Sequence, residues 1–210
     1  MIWLLYFPLV LLCSALCYLT NWLVVLLADK NSELHGIWHL WQTFDNSTTP
    51  SDVTELHELP SIFLYDWNKH YIEYVGDITY KEGTNQKRWY TTCINDNWTL
   101  KERIQRYICR VYWLTRNCGY GFAFYWFGNW ANKSTSIEHQ YYKDERHYIK
   151  FGYDRSKSIF TRTWWLKVDW YWTKHIETEG YVGWKINYPF KSDSLYGMIA
   201  VRLIPIRFSS

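Results

Sequence analysis

Leu64-Tyr65-Asp66-Trp67-Asn68-Lys69-His70 is the stretch on which the reading of this chain turns. Pro60-Ser61 can restart a helix before it, and that helix would run to about Tyr74. On a helix, positions i, i+3 and i+4 share a face, so Asp66, Lys69 and His70 project together. They form a set of an acid, a fixed cation and a group that exchanges a proton near neutral pH. Phosphoryl transfer on RNA uses such a set: a 2′-hydroxyl loses a proton, a 5′-oxygen gains one, and the charge between them is neutralised. One helix turn supplies one proton carrier. A second stands in Leu34-His35-Gly36-Ile37-Trp38, which reads as part of a strand running to Trp41.

Working outward, the composition is unusual in its rings. Fifteen Trp and an aromatic fraction of 21% point to a β-rich body, or to surfaces built for stacking or membrane contact. The net charge of +3 is unevenly spread. Residues 121–210 carry 13 Lys and Arg against 8 Asp and Glu, so this half is basic and the rest slightly acidic. A basic, aromatic half suits an anionic partner such as RNA, glycan or a lipid headgroup; a solvated sheet face is the plainer alternative.

The start of the chain is apolar from Met1 to Ala28. Residues 2–12 have the length of a signal-peptide core, and Ala15-Leu16-Cys17 has the small-x-small form of a cleavage site. The expected leader is 1–17, with a boundary as late as residue 28. Trp22–Leu27 also reads as a first buried strand, and the whole run is long enough to be an uncleaved anchor. Three N-x-S/T sequons, at Asn46, Asn97 and Asn132, fit export through the secretory pathway, with glycosylation. Export also permits disulfides. Removal of Cys13 and Cys17 leaves Cys93, Cys109 and Cys118, an odd number. One thiol then stays free or joins two chains, for example as a Cys93–Cys93 link in a homodimer.

Ser51 can cap a short helix over 52–59. Strand-like runs follow at Arg88–Ile94 and Arg103–Leu114, then an aromatic run at Gly119–Phe127. Tyr148–Tyr153, Thr163–Thr173, Tyr181–Tyr188 and Tyr196–Phe208 complete the strands. Thr163–Thr173 alternates cleanly, and the stripe Leu166, Val168, Trp170 and Trp172 reads as its core face.

Taken together, the motifs resemble the ribonuclease T2 family. Leu34–Trp38 is similar to its first active-site segment, HGLWP, and Tyr65–Tyr71 (YDWNKHY) to its second, HEWxKHG, in the same order. Cys93 and Cys109 resemble the cysteines of the family's paired strands. Among T2 enzymes the polar SELHGIW and DWNKH are nearest to the secreted envelope ribonucleases of pestiviruses. The resemblance covers about residues 22–120.

It implies an α+β fold, with a T2-like antiparallel sheet and helices over 18–120; the β-rich aromatic extension over 121–210 matches no family motif, and either completes that same domain or forms a separate β module. It also implies a metal-independent endoribonuclease that cleaves single-stranded RNA through a 2′,3′-cyclic phosphate. His70 would be the base and His35 the acid. Lys69 and Asp66 would stabilise the phosphorane, Trp38 would stack on a base, and Tyr65 would contact phosphate. Cys109 and Cys118 would close a small disulfide loop. No cofactor is expected, and no cysteine, histidine and carboxylate cluster has metal-ligand spacing. The localisation implied is secreted or virion-surface. The family pattern is not intact: Tyr65 stands for histidine, Asp66 for glutamate, His39 for proline and Tyr71 for glycine. Those changes open a second expectation, a catalytically degenerate envelope glycoprotein. It would bind glycosaminoglycan or another glycan, a membrane surface, or partner envelope glycoproteins.

Overall fold

The computed structural model describes residues 2–55, 59–80, 84–126, 129–131, 137–144, 147–154, 164–187 and 195–208. The protein is α+β, with antiparallel strand pairing throughout. Helix α1 covers Ile2–Val24 and continues as a 3-10 turn over Val25–Leu27. A second 3-10 segment covers Gly36–Trp41, followed by the short α2 at Ser51–Glu55. Strands β1 (Tyr71–Tyr80) and β2 (Thr84–Cys93) pair in unbroken register, from Tyr71 opposite Cys93 to Tyr80 opposite Thr84. Helices α3 (Leu100–Arg116) and α4 (Tyr120–Tyr125) come next. The rest forms a six-stranded sheet of β3 (Asn129–Ala131), β4 (Ile137–Lys143), β5 (His147–Asp154), β6 (Trp164–Thr173), β7 (Ile176–Asn187) and β8 (Leu195–Phe208). Its order is β3-β8-β7-β6-β5-β4, so a meander is closed at one edge by the short β3.

Several expectations give way here, each for a local reason. The expected helix through Asp66 and His70 is absent. Only Ser61–Phe63 turns as 3-10 helix, and the chain then bends into β1. The Asp66 carboxylate accepts the Lys69 N–H at 3.2 Å, and the Trp67 carbonyl accepts the N–H groups of both His70 and Tyr71. This short side-chain-capped turn satisfies the backbone that a helix would have used. The expected strand through His35 is instead a 3-10 segment begun by Gly36 at φ 60°, a left-handed value that glycine adopts without strain.

The expected strand at Arg103–Leu114 is the interior of α3. Thr99 and Glu102 form a capping box, each side chain taking the other's backbone N–H. Gln105, Cys109 and Trp113 then repeat at helical spacing on the buried face. The aromatic run at Gly119–Phe127 holds α4, not a strand. Gly121 lies so close to the preceding 3-10 segment that an added Cβ would stand 2.6 Å from the Gln42 carbonyl oxygen.

The expected core stripe of β6 is covered only in part: Leu166 and Val168 are half-buried. Trp170 and Trp172 are exposed and stacked at 5.8 Å. The covered residues are Asp169, Glu177 and Glu179, with Lys167 Nζ lying 2.9 Å from Asp169 and 3.3 Å from Glu179. The ion pairs make that polar side tolerable inside.

The main core joins Cys17 and Val24 of α1, and Val25 of the 3-10 turn after it, to Cys109, Trp113 and Leu114 of α3, with Trp41, Trp67, Tyr71 and Trp98 between them. An apolar helix of signal-sequence length therefore stands where a leader was expected, and it is packed into the body. The Ser14 hydroxyl donates to the Val201 carbonyl of β8 at 3.0 Å, and the Leu203 N–H donates to the Tyr18 hydroxyl at 3.0 Å.

Candidate functional site

The turn before β1 and the N-terminal end of α3 meet at Glu102. Its Oε1 accepts from Lys69 Nζ at 2.6 Å and lies 3.3 Å from His70 Nε2, while its Oε2 accepts the Thr99 hydroxyl at 2.7 Å. The Lys69 ammonium first, and then the Thr99 and His70 hydrogen bonds, hold the Glu102 carboxyl well below the usual carboxylate range. His70 is fully buried. Its Nδ1 donates to the Asn95 carbonyl at 2.8 Å, and its ring stacks on Trp98 at 3.6 Å and 11°. Neither ring nitrogen is open to a substrate.

Of the residues expected to act together, Lys69 and His70 are joined through Glu102. Asp66 sits beside them as the cap of the turn. His35 is not part of this cluster. Its side chain is 71% exposed and its Nε2 pairs with Asp29 Oδ2 at 2.9 Å. Trp38 is exposed and packs 5.4 Å from Trp41. Tyr65 is buried against Trp98, and burial raises its phenol well above the ordinary value. It faces the core, away from any phosphate in solution.

Cys109 and Cys118 are both free thiols. Cys109 lies on α3 and donates to the Phe63 carbonyl, and burial pushes its thiol up to about 12. Cys118 donates to the Ser14 carbonyl and hydrogen-bonds Cys17. Nine residues of mostly helical chain separate the pair by roughly 13 Å of rise, beyond disulfide reach. Asn97 stands exposed on its loop, while Asn46 is half-buried beside the buried Ser47. Asn132 lies outside the described residues. Among the described residues there is no cluster of three or more metal-ligating side chains.

Beside the Glu102 cluster lies a cleft of about 290 Å³. One wall is α3, which presents Arg103, Arg106 and Arg110 at i, i+3 and i+7. Trp98 and Asp96 form a second wall, and Val25, Leu26 and Ala28 at the end of α1 form the third. Trp98 thus stands between the buried His70 and the arginines, with the Arg106 guanidinium 4.4 Å from its ring.

Arg110 is 5% exposed. It donates to Thr49, to the Asp29 carbonyl and to the Ser32 hydroxyl, and also hydrogen-bonds the Tyr71 hydroxyl, all uncharged partners. Burial, and then the neighbouring Arg106 charge, lower its guanidinium from the ordinary value. Asp96 Oδ1 accepts the Trp98 indole N–H at 2.9 Å. Among the described residues no carboxylate pairs with any of the three arginines.

A family model described as a family of unknown function, DUF7338, matches residues 1–210. The chain belongs to that family. Comparison with curated proteins and with solved structures gives no match. The family match runs without a break through α1, the arginine-lined cleft and the six-stranded sheet.

The strand expected over Arg103–Leu114 hides the cleft, because a period of two puts its arginines on both faces. The signal was present: Thr99-Leu100-Lys101-Glu102 is a capping box, and helical numbering from it brings the three arginines to one face.

Proposed function

We propose that the protein is a membrane-attached, non-catalytic binding module, with α1 lying along the bilayer interface. The observation that carries this reading is the orientation of α1. Its buried face is Val10, Ser14, Cys17, Asn21 and Val24, small or polar in its middle. Its exposed face is a stripe of Leu9, Leu12, Leu16, Leu19, Leu23 and Leu26. A water-soluble domain turns such a stripe inward. Small and polar residues against protein with leucine outward is the pattern of a helix whose outer solvent is lipid. From Met1 to Ala28 there is no charged side chain to oppose insertion. Because α1 is docked along its length on α3, α4 and β8, it suits the plane of the interface better than a crossing.

The ribonuclease reading of the same chain asks for two accessible proton carriers beside one phosphate. His70 is sealed by Trp98, Asn95 and Glu102, and His35 is exposed with Asp29 as its partner. These facts favour the binding reading. Under it, the T2-like segments at 34–38 and 65–71 serve as packing and turn elements.

The test is flotation of the purified full chain with phospholipid vesicles, beside an assay for single-stranded RNA cleavage in chelator. The expected result is co-flotation without cleavage. A protein that stays monomeric and lipid-free in buffer overturns the membrane reading. Cyclic-phosphate products that vanish in both His35→Ala and His70→Ala would favour the enzyme.

A further inference from the structure

The arginine-lined cleft has chemistry that membrane attachment alone does not use. It holds three guanidinium groups and one carboxylate, and that carboxylate is engaged by the Trp98 indole. A buried guanidinium bonded only to neutral oxygens keeps its positive charge without a counter-charge, which is costly in a low-dielectric site. An anion entering the cleft would supply that charge. Arginine suits phosphate in particular, because its planar fork can give two parallel hydrogen bonds to two oxygens.

The position of the cleft narrows the source of the phosphate. Leu26 belongs both to the lipid-facing stripe and to the cleft wall, with Val25 and Ala28 beside it. The Tyr107 hydroxyl donates to the Trp22 carbonyl at 2.9 Å, which fixes α3 against α1 at this end. The first charged residues after the apolar run, Asp29 and Lys30, follow at once. An α1 lying at the boundary of acyl chains and headgroups therefore sets the cleft at the depth of lipid phosphates.

We propose that this cleft binds the phosphate of an anionic phospholipid headgroup, held by Arg103 and Arg106 beside Trp98, with the buried Arg110 charge behind them. The proposal rests on the membrane reading for the source of the phosphate, and on the cleft alone for the phosphate itself.

The experiment compares flotation of the full chain with phosphatidylcholine vesicles and with vesicles containing phosphatidylglycerol. It does so for the wild type, Arg103→Gln/Arg106→Gln, and the control Lys101→Gln, which removes an exposed charge on α3 outside the cleft. A parallel arm measures thermal stabilisation of the detergent-held protein by short-chain phosphatidylglycerol, by glycerol phosphate and by inorganic phosphate.

The expected result is tighter wild-type binding to the anionic vesicles. The double variant should lose about tenfold or more of that preference, while Lys101→Gln keeps it and both bind neutral vesicles as the wild type does. Short-chain phosphatidylglycerol should raise the melting temperature more than either soluble phosphate. Equal binding to both vesicle types overturns the headgroup assignment while leaving the membrane reading intact. So does an equal loss in Lys101→Gln, because it would reduce the preference to diffuse charge. Equal stabilisation by glycerol phosphate overturns the lipid source. No flotation with any vesicle overturns the membrane reading, and with it the lipid source, whereas stabilisation by phosphate lost in the double variant would still support a phosphate site.

Discussion

The leucine stripe of α1 gives a prediction whose size follows from the exposed surface. Leu12, Leu19 and Leu26 are 66%, 73% and 65% exposed, and together they present about two whole leucine side chains to the outside. Burying one leucine is worth about 2 kcal/mol, so moving these surfaces into lipid contributes about 4 kcal/mol. At 1.4 kcal/mol per factor of ten, the triple variant Leu12→Ser/Leu19→Ser/Leu26→Ser should bind neutral vesicles about a thousandfold more weakly. The three positions touch little protein, and exposed substitutions usually change stability by less than about 0.5 kcal/mol each. The fold should therefore survive, as circular dichroism and the thermal transition in detergent would record. Titration of the full chain with vesicles, read by flotation, gives the partition coefficient. A triple variant that is folded and partitions within about threefold of the wild type would refute the reasoning, because the stripe would then not be the surface that meets lipid.

Gly121→Ala improves intrinsic helix propensity but drives a Cβ to 2.6 Å from the Gln42 carbonyl, so it should destabilise by about 1–3 kcal/mol in chemical denaturation. No loss would mean that α4 does not abut the 36–41 segment. Thr99→Ala removes the α3 N-cap and should cost about 1 kcal/mol, with Thr99→Ser recovering most of it. Glu102 is more acidic in the folded protein than in the unfolded chain. Its stabilising contribution is therefore complete above the ordinary carboxylate range and is lost as pH falls through the depressed folded value. Glu102→Gln should lower the unfolding midpoint at neutral pH, and the gap from wild type should narrow on acidification; a constant gap would remove Lys69 as its charge partner.

The sequence disclosed the second half of this fold better than the first. The strands from Tyr148 onward stand close to where alternation and turns put them, since a period of two in a sheet survives most tertiary context. Alternation in β6 separated two faces correctly but could not say which was covered. Inside, Lys167 bridges the carboxylates of Asp169 and Glu179, an arrangement invisible until β7 lies beside β6. In the first half, resemblance to active-site motifs drew attention to Asp66, Lys69 and His70, and Lys69 and His70 do converge on one carboxylate. That carboxylate belongs to Glu102, on an element assigned the wrong period, and the ring of His70 is spent on Trp98. The arginine cleft followed the same error. In α1 the unbroken apolar run concealed its two faces, because serine, cysteine and asparagine among leucines reveal a protein-facing side only when lipid is considered as the other solvent.

In the membrane-attached protein α1 should stay with the body, its leucines in lipid and its small and polar residues against protein. Photocrosslinking tests it most directly, with a diazirine amino acid placed at Leu19 in one sample and at Asn21 in another, in the full chain bound to vesicles. Leu19 is 73% exposed, whereas Asn21 is buried and reaches Thr115 of α3. The expected products are lipid adducts from position 19 and intramolecular adducts to α3 from position 21. Protein adducts from position 19, or a mature chain that has lost α1 altogether, would contradict that arrangement.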